Sequence, residues 1–206
     1  FKPKEKYIEE LTAVSKLPKD HVAYKFCKLR MIPEKHYDIL YYSDDFGSFM
    51  EKLDPTCLAV GKEERLVIPF FNKRGDVVGA QGRHLTFKGE ETARTSARYI
   101  TVKADKSIDR LWYGLWRTDP KKKVYVVEGP LDSLFIPNTI AMVGAGAIEQ
   151  VHPRLMESEV VYALDNEPRN SQIVNYMDRL ITKGCSVCIW PQSVREKDIN
   201  NMTKTV

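Results

Sequence analysis

The last third of the chain restricts the fold more than any other stretch. VYVV (124–127), TIAMVG (139–144), VVYALD (160–165) and CSVCIWP (185–191) are short apolar runs that read as strands. LDSLF (131–135), ended by Pro137, reads as a short helix, and AIEQVHPRLMES (147–158) as a helix broken near Pro153. SQIVNYMDRLITKG (171–184) reads as a helix closed by Gly184. A β-α-β-α-β-α-β order demands a mostly parallel sheet covered by helices. Near-continuous apolar strands agree with burial on both faces.

Open parallel sheets bind ligands beyond the carboxyl ends of their strands. Three of the predicted strands deliver acids there. Glu128 is the first residue past VYVV, and Asp132 follows one turn later. Asp165 ends VVYALD, with Glu167 two residues on and on the same side of an extended backbone. Asp198, in KDINNM, lies a short loop past the last strand. Two unit charges 5 Å apart repel by about 3 kcal/mol at an effective dielectric of 20. Carboxylates that meet must therefore take up protons, recruit Lys or Arg, or bind a cation. Oxygen-only ligands favour Mg²⁺ or Mn²⁺.

Upstream the period changes. RLVIPFF (65–71) and DVVGAQGR (76–83) flank the turn signal Asn72-Lys73-Arg74-Gly75, and RYITVK (98–103) reads as a further strand. LTFKGEETARTSA, between them, reads as a mobile loop. Trp112 and Trp116, four apart, read as anchors of the core or of a domain seam. Residues 5–53 read as helical: KYIEELTAVSKL, HVAYKFCKLR, PEKHYDIL and DFGSFMEKL, the last capped by Asp44 or Asp45. The organisation expected is thus an N-terminal helical segment (1–60), a basic mixed α/β subdomain (61–118) and an α/β domain (119–206).

Charge follows that division. Residues 1–60 hold 10 basic and 10 acidic side chains, residues 61–118 hold 12 and 7, and residues 119–206 hold 10 and 11. The middle excess favours a polyanionic partner. No apolar run approaches the roughly 18 residues of a membrane span, and the charged N-terminus is no signal peptide. The chain opens at Phe1 without an initiator Met, so a fragment or processed product is expected. Cys27, Cys57, Cys185 and Cys188 are too scattered for a secreted disulfide framework, which points to a reducing cytoplasm. Residues three apart on a strand face opposite ways, so Cys185 and Cys188 read as structural rather than zinc ligands. VGAGA (143–147) reads as a turn, with backbone N–H groups for a phosphate as the alternative.

VVEGPLDSL, ALDNE and KDINNM resemble the three acidic motifs of the Toprim fold. RLVIPFFNKRGDVVGAQGR resembles the strand-turn-strand motif that precedes Toprim in the RNA polymerase domain of DnaG-like primases. RYITVKADKSIDRLWYGL resembles the next primase motif, closed here by Tyr113-Gly114-Leu115. The likeness covers about residues 61–202. The short spacer and the N-terminal segment differ from the bacterial enzymes and point to a large tailed phage. Glu167 stands where an Asp is usual, and Asn200 where a second acid of the last motif would fall.

The resemblance implies a Toprim domain preceded by a basic subdomain, and primer synthesis on a single-stranded DNA template from ribonucleoside triphosphates. Glu128, Asp165 and Glu167 would be catalytic. They would hold Mg²⁺ or Mn²⁺ with Asp132 and Asp198. Arg83 and Arg98, with Lys103, Lys106 or Arg110, would grip template and nucleotide. Tyr99 and Tyr113 are candidate stacking rings, with core packing the simpler reading. A replicative helicase is the expected partner and the host cytoplasm the expected place. The family's zinc-binding module has no Cys/His set in this sequence. The alternatives are a Toprim nuclease, or a Toprim module that binds nucleic acid without catalysis.

Overall fold

A computed structural model describes residues 3, 4, 6–57, 61–86, 97–143 and 152–204. The chain divides into two compact units, Phe1–Leu29 with Pro33–Leu111, and Arg30–Ile32 with Trp112–Val206.

The first unit is built on an antiparallel sheet in the order β1-β2-β3-β4-β5. Its centre is the expected hairpin, β3 (Arg65–Phe71) and β4 (Val77–His84). The Asn72 side chain accepts from the backbone N–H groups of Arg74 and Asp76, and Gly75 takes a φ of 85° that a side chain would resist. β5 (Tyr99–Lys103) pairs with β4, setting Arg83 opposite Tyr99 and Gln81 opposite Thr101.

The N-terminal stretch is less helical than its spacing predicts. α1 (Val22–Leu29) and α2 (Phe46–Leu53) form, and Asp45 caps α2 by accepting from the Ser48 N–H at 3.1 Å. PEKHYDIL makes only a tight 3₁₀ turn over Glu34–Ile39. KYIEELTAVSKL does not form its predicted helix among the described residues. Tyr7 takes a φ of 75°, β1 (Thr12–Ala13) pairs with β2 (Tyr41–Ser43), and β2 pairs with β3. Ile8 and Val14 of the apolar stripe are still buried, Ile8 in a turn before β1 and Val14 in a 3₁₀ turn after it.

Successive residues of β4 point to opposite faces. The Phe46 ring of α2 lies where a Cβ on Gly82 would fall, and the Arg83 guanidinium lies 5.7 Å from the Phe26 ring of α1. The two helices therefore cover opposite faces of the sheet. That explains why every residue of β3 is buried.

The second unit carries a sheet in the order β10-β9-β7-β8-β6. Its strands are β6 (Leu111–Tyr113), β7 (Val124–Val127), β8 (Thr139–Val143), β9 (Val160–Tyr162) and β10 (Ser186–Val187). The β7–β8, β7–β9 and β9–β10 pairings are all parallel, as the alternation predicts. β9 and β10 are shorter than expected, although Ala163 still donates to Val126 O at 2.8 Å. LDSLF and the stretch around Pro153 form single 3₁₀ turns, Asp132–Leu134 and Pro153–Leu155. α3 (Ser171–Thr182) forms as predicted, capped by Asn170, and α4 (Ile199–Met202) follows Asp198. Val124, Val126, Ile140, Tyr162 and Leu164 meet Ile173 and Leu180 of α3 in one core, with Trp112 packed against it. Trp116 is buried beside Tyr113. Most of LTFKGEETARTSA, VGAGA beyond Val143 and the first five residues of AIEQVHPRLMES lie outside the described residues. Among the described residues no helix is long and apolar enough to cross a membrane.

Candidate active site

The acids meet at the carboxyl end of the parallel sheet. β7 and β9 are neighbours in register, so the residues just past them are neighbours too. The Glu128 carboxylate accepts the Asp165 backbone N–H at 3.0 Å. Gly129 follows: a Cβ there would fall on the Asp132 carboxylate, which would have to turn from its place. Asp132 is held from the far side, accepting the Asn200 N–H at 3.0 Å. Asp198 caps α4, accepting the Asn201 N–H at 2.7 Å.

The cluster carries an electrostatic cost that shows in its titration. Burial first, then the charges of Glu128 and Asp132, push the Asp165 carboxyl up to about 7; the Lys197 ammonium opposes the rise. Burial pushes Asp132 up to about 6, with the Asp198 charge adding to it and the Asn200 N–H and Arg30 opposing. Glu167 is turned toward Lys197, whose Nζ lies 3.1 Å from it and 3.7 Å from Asp165. Hydrogen bonding to Glu167 and the charges around it raise the Lys197 ammonium in turn.

Five expected acids therefore share one neighbourhood, in graded fashion. Glu128 and Asp165 touch, Glu167 joins them through Lys197, and Asp132 and Asp198 act through their charge. Among the described residues no three His, Cys, Asp or Glu side chains are already gathered as a closed ligand set. The donors do suit a hard divalent cation: they are all carboxylate oxygens, and two are raised by burial and like charge, which a cation would offset.

Sequence reasoning gave no role to four supports of this arrangement. Lys197, beside Asp198 in KDINNM, is the counter-charge. Asn166 ties the β9 turn to the last loop, its N–H donating to Lys197 O at 2.6 Å and its amide to Val194 O and Glu196 O. Asn200 is buried and bonded to Arg30, which donates to it at 2.9 Å. The Asn166 and Lys197 signals were present as polar residues inside acidic motifs. The Arg30 pairing leaves no local signal.

The basic candidates belong to the first unit. Arg83 is buried, its guanidinium 4.9 Å from the centre of the Tyr99 ring, and Tyr99 remains 39% exposed. Arg98 is exposed. Lys103 donates to the carbonyls of Ile108 and Asp109 at 2.9 and 2.7 Å, bracing a turn. Lys106 pairs with Asp54 at 3.0 Å, and Arg110 is half-buried. Tyr113 is wholly buried against Trp116, so of the two candidate stacking rings it is the core residue.

No family model matches the chain. It is 33% identical over 207 residues to the DNA primase of Enterobacteria phage T4, a match that covers 98% of this chain and 58% of that protein. The chain thus spans little more than half the length of that curated relative. Among solved structures, a DNA primase domain from Pseudomonas aeruginosa is similar with a TM-score of 0.66 at 16% identity, covering 96% of this chain and 72% of that one. A DnaG primase catalytic domain solved with single-stranded DNA is similar with a TM-score of 0.64 at 15% identity, covering 95% and 71%. In sequence the chain is similar to a phage DNA primase, and its fold is that of the DnaG-like primase catalytic core.

Proposed function

We propose that this chain is the catalytic core of a DNA primase, a nucleotidyltransferase that joins ribonucleotides into short RNA on a single-stranded DNA template. The observation that carries the reading is the convergence of Glu128 and Asp165 at the parallel sheet's edge in a chain so similar to a phage primase. Glu128, Asp165 and Glu167 are the residues that would hold Mg²⁺ or Mn²⁺, with Asp132 and Asp198 in support. A cation bound there would activate the primer 3′-hydroxyl and neutralise charge on the triphosphate. The chain's own part is positioning. The Asp165 N–H fixes Glu128, Gly129 leaves room for Asp132, and Lys197 keeps Glu167 turned toward the cluster.

Arg83 and Arg98 are the strongest candidates for template and nucleotide phosphates, with Tyr99 as a stacking ring. Lys103, Lys106 and Arg110 all stay candidates for the third basic position, and Lys103 and Lys106 are bonded within the first unit. A replicative helicase is the proposed partner, and the host cytoplasm the proposed place of action.

The test is one gel. The protein is incubated with labelled single-stranded DNA, differently labelled ribonucleotides and Mg²⁺ or Mn²⁺, beside Glu128→Gln. Short RNA from the parent, reduced about a thousandfold in Glu128→Gln with DNA binding kept, is the expected result. Shortened DNA without RNA, or equal synthesis by both proteins, would overturn the reading.

A further inference from the structure

A cleft of about 760 Å³ opens in the second unit, between the turn after β9 and the loop after β10. Glu167, Arg169, Asn170, Trp190, Gln192 and Arg195 are among its lining residues. The size is that of a small-molecule site. We propose that this cleft binds one nucleotide unit, its base against Trp190 and its phosphate on Arg169 and Arg195.

Three observations point that way. Trp190 is half-buried, and its indole N–H donates to Leu164 O at 2.8 Å, which anchors the ring to the end of the parallel sheet. A ring held this way offers a flat surface at little further entropic cost, and base stacking on an aromatic is tolerant of base identity. Arg169 and Arg195 are exposed, and neither guanidinium has an ion pair or hydrogen bond among the described residues. The acids nearby are already committed. Glu167 is paired with Lys197 and also accepts from Asn170 at 3.3 Å, while Asn170 caps α3. Two unpaired guanidiniums therefore leave the cleft electropositive beside an otherwise acidic edge. Guanidinium groups match phosphate oxygens in geometry as well as charge.

The ligand's identity rests on the primase reading, since Glu167 is shared between the cleft and the proposed cation site. The cleft lies within one unit, so its binding is separable from template grip on the basic sheet. A nucleotide unit can arrive free, as a ribonucleoside triphosphate, or within a strand.

The test is titration of the whole chain with GTP, and separately with an oligothymidylate, by calorimetry. The parent is compared with Arg169→Ala/Arg195→Ala and with Trp190→Phe, which keeps a flat ring. The expected result is a Kd raised about tenfold or more in the double arginine variant, with an unchanged Tm, and a smaller rise in Trp190→Phe. A rise for GTP alone assigns the cleft to a free nucleotide. A rise for the oligonucleotide alone, with a salt slope reduced by about 1.4, assigns it to a strand. Changes under twofold for both ligands would overturn the proposal. Binding is read without turnover, so the two readings fail separately: Glu128→Gln decides the primase chemistry, the arginine pair decides the cleft.

Discussion

Arg65 and Asp165 are both charged groups set on sheets, and they stand in opposite electrostatic states. Arg65 is fully buried, yet every arm of its guanidinium is used. It donates to Glu63 at 2.6 and 2.9 Å and to the carbonyls of Gly82 and Ala97 at 2.9 Å each. Asp165 is less buried and worse off: burial and neighbouring acids push its carboxyl to about 7, against one ammonium at 3.7 Å. A buried charge with all its partners is part of the architecture. A cluster that the fold leaves short of counter-charge is a candidate place for a ligand. Arg65 is thus a structural charge, and Asp165 belongs to the carboxylates proposed as functional.

Arg65→Met should break the first side of the comparison. It keeps the volume but strands the buried Gly82 carbonyl, frees the part-buried Ala97 carbonyl and leaves Glu63 with a lost partner. The expected cost is about 3 kcal/mol, read as a lower urea midpoint with unchanged slope. Retained stability would mean that Arg65 belongs with the functional charges after all.

How much of this was legible in the sequence follows the same division between local and distant causes. The hairpin was legible because Asn72 and Gly75 write their own turn. The acid at the end of β7 was legible because four apolar residues in a parallel strand must stop at a sheet edge. The N-terminal strands were not. Tyr7, Ile8, Leu11, Val14 and Leu17 keep helical spacing, but the pairing of Thr12 with Tyr42 and of Ala13 with Tyr41 decides their conformation, and no local pattern reports it. The support of Asn200 by Arg30 was hidden for the same reason, since the two are 170 residues apart. In the acidic motifs the carboxylates were visible, while Lys197 and Asn166 stood unread beside them.

Gly82→Ala sharpens the comparison by testing packing without charge. The new methyl would fall on the Phe46 ring, and both groups are held, one in β4 and one in α2. Overpacking of this kind costs about 1–3 kcal/mol. The measurement is a thermal melt beside Arg65→Met. If Gly82→Ala lost more than Arg65→Met, shape rather than charge satisfaction would be what holds that sheet.

The smallest effect has the opposite sign, and it tests the second side. Asp165 is an acid whose carboxyl in the folded chain titrates near 7, above its value of about 4 when unfolded. The folded chain therefore holds its proton more tightly. Asp165 disfavours folding least below about pH 4. Its cost grows as the pH rises from about 4 to about 7, and is fully present above that. Asp165→Asn removes the charge while keeping the backbone N–H that Glu128 accepts. In metal-free buffer at pH 8 the variant should melt a few degrees above the parent, and at pH 4 the two should coincide. A parent that melts above Asp165→Asn at pH 8 would show that the cluster is already neutralised by its own residues, Lys197 first among them. The contrast with Arg65 would then collapse, and with it the electrostatic case for a cation at this edge.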